Sequence, residues 1–257
     1  MNGFDSNKIK SSIVNKLLDT LQENLVAIIF AGSFPDSLKE GWSDIDLLIV
    51  VRKLDFDTKL KLACVIAELE DNTKLHHGIN VIAEEEFLTP KSPEILLEGK
   101  TLQALIDLKK HPERIIYLDK KVDLGKVYSP NIDTLKQYSL SNIGMFLKRN
   151  RRSLTTTLYA DENKKELLKR EIRASLIITK LGVQYFTGNP QGKYQDVLNQ
   201  AKLIFPDFNF EVIEDNFHII EKWQELNNDK EILEIFRRVD EYIEKFTRYV
   251  FEKSQSN

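Results

Sequence analysis

Two short apolar segments, separated by a polar loop, most constrain what this chain can fold into. The first covers residues 26–31 and ends at Gly32-Ser33, and the second covers residues 45–51 and follows Ser43-Asp44. Short runs rich in β-branched residues are typical of buried strands. The loop between them contains proline, aspartate and glycine, which favour a turn. The sequence therefore predicts two buried strands that border a polar turn.

Asp44 and Asp46 lie at the start of the second predicted strand. Alternate residues of a strand point the same way, so both carboxylates share one face and Ile45 takes the other. Two close carboxylates repel, and Mg²⁺, which takes one or two carboxylates plus substrate phosphates, relieves that repulsion. Gly32 lets a phosphate approach the backbone, and Ser33 adds a hydroxyl and an N–H donor. The pattern predicts a phosphate-binding turn beside a metal site; a plain hairpin with two surface aspartates is the alternative.

Gly32, Ser33, Asp44 and Asp46 match, residue by residue, the signature of the nucleotidyltransferase superfamily related to DNA polymerase β. The chain therefore resembles that superfamily. The resemblance implies Mg²⁺-dependent transfer of a nucleoside monophosphate from ATP or another NTP to an acceptor, with release of pyrophosphate. It implies that Asp44 and Asp46 are catalytic metal ligands and that Gly32 and Ser33 bind the nucleotide.

A third acidic residue on the neighbouring strand usually accompanies this signature, and the sequence departs from it here. The strand predicted over residues 77–82 carries Gly78 and Asn80 on one face, and neither is acidic. Asn80 can offer a carbonyl oxygen to the metal but cannot take a proton. His76, on the same face, and Glu84, just past the strand end, are the candidate general bases. Ordinary solvated side chains would also account for both.

The hydrophobic periodicity changes character along the chain. Up to residue 118 it predicts helix, strand, strand, helix, strand, helix, strand, and beyond residue 128 it predicts helices. We therefore expect an α/β nucleotidyltransferase domain with a mixed sheet over residues 1–125. An all-α helical-bundle domain that closes over substrate and nucleotide is expected over residues 126–257. Cys64 falls in an apolar helical pattern and is expected in the core, and Gly144 is a candidate interruption of the helix over residues 132–160.

Residues 171–206 carry a second resemblance, to the C-terminal domain of streptomycin/spectinomycin-type aminoglycoside adenylyltransferases. Thr187, Gly188, Lys193 and Pro206 match the pattern of a long helix, Thr-Gly, a loop lysine, and a helix that ends before proline. The resemblance implies that Lys193 contacts the nucleotide phosphates. An anionic ligand would also explain a cation at a helix start, although a solvated lysine is the alternative.

Composition narrows the remaining classes of function. A net charge of −3 gives no general attraction to nucleic acid, and no apolar stretch is long enough for a membrane span. A single cysteine and no apolar signal segment favour a cytoplasmic protein. We expect AMP transfer to a hydroxyl of a small molecule such as an aminoglycoside antibiotic, and the sequence does not indicate an oligomeric state. A protein-adenylylating antitoxin-type enzyme is one alternative, and a nucleotide-binding module without turnover, which Asn80 favours, is another.

Overall fold

The computed structural model describes residues 6–31, 44–88, 97, 99–108, 110–156, 164–188 and 193–255. The chain divides into two compact units, Met1–Asn131 and Ile132–Asn257. The assignment of residues 1–125 and 126–257 as two functional domains stays a prediction. The first unit contains a mixed sheet with helices and the second is helical. The predicted fold class, an α/β domain followed by an all-α region, is confirmed.

Four strands form the sheet of the first unit. They are β1 (Leu25–Phe30), β2 (Asp44–Val51), β3 (His76–Ala83) and β4 (Ile115–Leu118). Their order across the sheet is β3-β2-β1-β4, with β1 antiparallel to both β2 and β4, and β2 parallel to β3. Parallel neighbours need a crossover, and a helix supplies it between β2 and β3. This pairing fixes which end of each strand lies beside Asp44 and Asp46.

The helices of the first unit are α1 (Ser6–Leu21), α2 (Phe56–Thr73), α3 (Glu84–Leu88) and α4 (Gly99–Leu108). Helices α1 and α2 cover one face of the sheet, where apolar residues of both pack on alternate residues of β1 and β2. Asp55 caps α2 by accepting the Thr58 N–H at 2.9 Å. Ile45 and Leu47 belong to this covered face, so Asp44 and Asp46 project from the other.

The prediction that Cys64 lies in the core is wrong, because its side chain is exposed. Helix α2 buries Leu62, Val65 and Leu69 against the sheet. Cys64 lies between these positions on the outward side of the helix. The apolar pattern of α2 is wider than its buried stripe, which is why periodicity alone misplaced this residue.

The second unit consists of helices around α6. Its helices are α5 (Ile132–Thr156), α6 (Lys164–Thr187), α7 (Tyr194–Ile204), α8 (Glu211–Glu221) and α9 (Asp229–Gln255). Helix α6 packs against α5, α7 and α9, and it lies close to α9 where Gly182 meets Phe246. Helix α5 runs through Gly144 without a break, so the predicted interruption does not occur. Within the described ranges, no helix combines the length and apolar composition needed to cross a membrane.

Candidate active site

The carboxylates of Asp44 and Asp46 project from one face at the beginning of β2. Both residues are half-buried, whereas Ile45 between them is fully buried against α1 and α2. The alternation follows from the two-residue period of a strand. The predicted common face of the two aspartates is therefore present in the structure.

The end of β1 lies beside Asp46. The Ala31 N–H donates to the Asp46 carbonyl oxygen at 3.0 Å, so the antiparallel ladder between β1 and β2 reaches the level of this aspartate. Gly32 and Ser33, the predicted phosphate-binding pair, follow Ala31 in the sequence and lie outside the described residues. Their role in nucleotide binding stays a prediction.

The register between β2 and β3 shows which residues of β3 accompany the aspartates. Asp44 pairs with His76 and Asp46 pairs with Gly78, while Asn80 pairs with the buried Leu48. Asn80 is thus two residues, or about 7 Å, further along the sheet than Gly78. It lines a pocket at the edge of the sheet with Glu86, among other residues. The register gives no support to Asn80 as a metal ligand, and the residue beside Asp46 is a glycine.

The donor set that the aspartates provide suits Mg²⁺. Over the described part of the chain, no group of three or more His, Cys, Asp or Glu residues is arranged to hold a metal ion. An all-protein cage is therefore absent there. Mg²⁺, however, binds through one or two carboxylates, with water and substrate phosphates completing its shell. Asp44 and Asp46 fit that mode of binding.

His76 is the first residue of β3 and pairs with Asp44, but its ring contacts Glu70 of α2. Its Nδ1–H donates to Oε1 of Glu70 at 2.7 Å, and its side chain is 67% exposed. The same oxygen accepts the backbone N–H of His77 at 2.7 Å. That backbone bond, with the charge of His76 adding to it, holds the pKa of Glu70 below its usual value. The ring of His76 therefore contacts a residue of α2, although the backbone of His76 pairs with Asp44.

Glu84 lies at the other end of the sheet from the aspartates. It follows β3 six residues beyond Gly78, or roughly 20 Å along the strand. Its carboxylate accepts from the Arg52 guanidinium at 3.0 Å, and Arg52 also binds Asp119. Arg52 thereby ties together the chain segments that follow β2, β3 and β4. The structure does not support Glu84 as a general base for chemistry at Asp44 and Asp46.

His77 is a titratable residue near the site that the sequence did not single out. Its side chain is 3% exposed and pairs in register with Ile45, between the two aspartates. Nδ1 lies 2.9 Å from the Leu75 carbonyl oxygen, and Nε2 is buried without a hydrogen-bond partner. Burial lowers the pKa of this imidazole. His77 is therefore a neutral core residue, and the alternation of β3 was the signal that could have identified it as buried.

The Thr-Gly pair of the second unit ends helix α6. Gly188 has a positive φ of +79°, and its N–H donates to the Gln184 carbonyl at 2.7 Å. Thr187 bonds through its hydroxyl to the Val183 carbonyl at 2.8 Å. This arrangement is a left-handed C-cap, for which glycine carries no steric cost. The need to end helix α6 therefore explains the presence of Thr187 and Gly188 without any ligand.

Lys193 immediately precedes α7 and is exposed. Its backbone N–H donates to Oδ2 of Asp196 at 2.9 Å, which places a carboxylate on the positive end of the helix. This bond occupies the Lys193 backbone and leaves its ammonium group at the surface. Contact of Lys193 with nucleotide phosphates stays a prediction.

Comparisons with known proteins bear on both units. Residues 13–102 match the family model of the nucleotidyltransferase domain, and that segment includes β1, β2, β3 and both aspartates. A search among curated protein sequences finds no match. The structure is similar to that of spectinomycin adenyltransferase AAD(9) from Enterococcus faecialis, solved with ATP and spectinomycin. The two share 16% sequence identity, and the similarity covers 93% of this chain and 99% of that one with a TM-score of 0.60.

The two findings answer different questions. At 16% identity the structural similarity establishes the fold, which runs through both units. The family model identifies residues 13–102, which include Asp44 and Asp46, as a nucleotidyltransferase domain. The N-terminal unit therefore contains a nucleotidyltransferase domain, and the two findings together support an enzyme that transfers a nucleotide.

Proposed function

We propose that this enzyme moves AMP from ATP to a hydroxyl group of a small molecule in a Mg²⁺-dependent reaction. The observation that carries the proposal is the half-buried pair Asp44 and Asp46 on one face of β2, within the segment that matches the nucleotidyltransferase domain. The similar fold of an adenyltransferase solved with ATP and spectinomycin supports ATP and a hydroxyl-bearing antibiotic as the two substrates.

Asp44 and Asp46 would hold the metal. Bound Mg²⁺ would neutralise charge on the phosphates during the transfer. A cation at this position would offset the repulsion between two carboxylates on one strand face and between them and the triphosphate. Gly32, Ser33 and Lys193 are the residues that we propose bind the phosphates.

The transfer forms a bond between the acceptor oxygen and the α-phosphorus and breaks the bond from that phosphorus to the pyrophosphate oxygen. The acceptor hydroxyl must lose its proton, and Gly78 beside Asp46 cannot take it. We propose His76 as the base. Because Glu70 accepts the Nδ1 proton, neutral His76 keeps Nε2 as its free acceptor atom. Its ring would have to turn from α2 towards the face of Asp44 to act.

Label transfer from ATP tests the proposal. The protein is incubated with ATP labelled on the α-phosphate and Mg²⁺, together with aminoglycosides, aminocyclitols or lincosamides in turn. We expect labelled AMP on one class of small molecule, and none when the metal is chelated. Asp19→Asn, an exposed change on α1, is the matched control and should label the acceptor as wild type does.

Two other outcomes would contradict the proposal in distinguishable ways. Label on the protein itself or on an added protein, with none on a small molecule, would favour the alternative hypothesis of an enzyme that adenylylates proteins. Binding of ATP and Mg²⁺ without transfer to any acceptor would favour a module without turnover. In the second case Asn80→Asp, which adds a carboxylate further along β3, should be compared with Gly78→Asp, which adds one beside Asp46.

A further inference from the structure

The first residues of β2 and β3 lie side by side in the sheet. The ladder between β1 and β2 reaches Asp46, whose carbonyl oxygen accepts the Ala31 N–H. Asp44, at the start of β2, pairs in register with His76, at the start of β3. In the described four-stranded sheet, β3 is an edge strand and β2 is its strand neighbour. The position of the Asp44 backbone therefore depends on how firmly the start of β3 is held.

Glu70, on the last turn of α2, holds the start of β3. Its Oε1 accepts the backbone N–H of His77 and the Nδ1–H of His76, each at 2.7 Å. Its backbone carbonyl oxygen accepts the Lys74 N–H at 2.8 Å where the helix ends. The connection from α2 to β3 contains two residues, Lys74 and Leu75. Glu70 therefore bonds to both ends of this short connection.

The bond between Glu70 and the His77 backbone is difficult to replace. It lowers the pKa of the Glu70 carboxyl, so the carboxylate is ionised at neutral pH. Hydrogen bonds to an ionised acceptor are roughly twice as strong as those between neutral groups. His77 is 3% exposed, so water has little access to its N–H. Removal of the carboxylate would therefore leave a buried donor without an acceptor, which is costly.

We propose that Glu70 is a positioning residue of the metal site, which acts by fixing the start of β3 beside Asp44. The inference rests on the proposed role of Asp44 and Asp46 as the Mg²⁺ ligands. Mg²⁺ requires nearly ideal octahedral geometry with short bonds to oxygen. A displacement of the Asp44 backbone would therefore weaken metal binding, although Glu70 itself acts through the backbone of β3.

Variants of the full-length protein separate positioning from general stability. Glu70→Leu removes the acceptor and leaves the His77 N–H without a partner. Glu70→Gln removes the charge but keeps an oxygen that can accept this N–H. Val65→Ala, at a buried position of the same helix, lowers stability by creating a cavity and removes no bond to β3. Glu70→Asp, which keeps the charge on a side chain one carbon shorter, replaces Glu70→Leu if that variant does not fold.

Hydrogen exchange of the metal-free proteins measures the start of β3 directly. We expect the amides of residues 76–78 to exchange at least about tenfold faster in Glu70→Leu than in wild type, because a charge-assisted bond is lost. Glu70→Gln should stay close to wild type. Val65→Ala should speed exchange across the sheet rather than at residues 76–78 alone.

Mn²⁺ binding tests the metal site without an acceptor. Mn²⁺ is titrated by electron paramagnetic resonance in the presence of α,β-methylene-ATP, whose α–β bridge resists transfer. We expect Glu70→Leu to raise the Mn²⁺ Kd roughly tenfold, the lower end of the range for residues that support metal ligands. Glu70→Gln and Val65→Ala should bind Mn²⁺ as wild type does.

The adverse results have distinct meanings. Unchanged exchange at residues 76–78, or unchanged Mn²⁺ affinity, in Glu70→Leu would overturn the proposal. Equal weakening of Mn²⁺ binding by Val65→Ala would attribute the effect to stability and would also overturn it. Wild-type protein that binds no Mn²⁺ with the nucleotide analogue would contradict the proposed metal site itself, and this inference would fail with it.

Discussion

Two glycines in the middle of helices offer a test of the packing in the second unit, because the same substitution should act in opposite directions. Gly182 lies on α6 and Gly144 on α5. A Cβ on Gly182 would meet Cε1 and Cζ of Phe246 at 3.0 Å. A Cβ on Gly144 would meet Cζ of Phe251 at 3.7 Å, an ordinary contact.

Phe246 has little room to give way at Gly182. Its ring is fully buried and lies within 6 Å of the rings of Phe205, Phe208, Phe210 and Tyr242. Overpacking of a filled core costs about 1–3 kcal/mol. Alanine is favoured over glycine inside a helix by about 0.8–1.0 kcal/mol. The overpacking cost minus the gain in helix propensity leaves the Gly182→Ala protein less stable than wild type by up to about 2 kcal/mol. The Gly144→Ala protein has no overpacking cost and is stabilised by the gain in helix propensity alone.

Urea unfolding followed by far-UV circular dichroism measures both variants against wild type. The expected order of free energies of unfolding is Gly144→Ala, then wild type, then Gly182→Ala, with about 1–3 kcal/mol between the two variants. The reasoning would be refuted if Gly182→Ala were stabilised as much as Gly144→Ala. That result would mean that α6 and α9 do not approach closely at this point.

Further predictions concern binding, catalysis and pH. Lys193→Ala should weaken ATP binding about tenfold to a hundredfold by calorimetry, since a charge-assisted contact is lost; unchanged affinity would make Lys193 a solvated lysine. His76→Ala should lower turnover without changing ATP affinity if His76 is the base. Burial raises the pKa of Asp240, and the nearby charge of Glu244 adds a smaller increase. The ionised carboxylate therefore destabilises the folded state, and this destabilisation grows as the pH rises through the pKa. Asp240→Asn should therefore raise the melting temperature at pH 7 but not below about pH 3.

The sequence predicted the features that depend on local pattern. The apolar runs located β1 to β4, and the period of two put Asp44 and Asp46 on one face. Both predictions rest on residues within a few positions of each other. The helices of the second unit were predictable for the same reason, since their buried stripes recur at helical spacing.

Features that depend on pairing and on side-chain partners were not predictable. No local sequence pattern indicates that β2 and β3 run parallel with Asp46 opposite Gly78. Because of that pairing, Glu84 lies at the end of the sheet away from Asp44 and Asp46. Cys64 was misplaced because α2 is apolar on more sides than it buries. The ring of His76 turns to Glu70, a partner six residues earlier on α2, and no spacing rule predicts such a contact.

The central claim is that Asp44 and Asp46 hold the metal for nucleotide transfer. The most direct measurement is the Mg²⁺-dependent rate of AMP transfer to the acceptor for wild type, Asp44→Asn, Asp46→Asn and the control Asp19→Asn. Asparagine keeps the size of the side chain and removes its charge, so the fold should persist, as matching urea unfolding curves would show. We expect both site variants to lose at least about 100-fold in rate and Asp19→Asn to match wild type. Near-wild-type transfer by either site variant would contradict the claim.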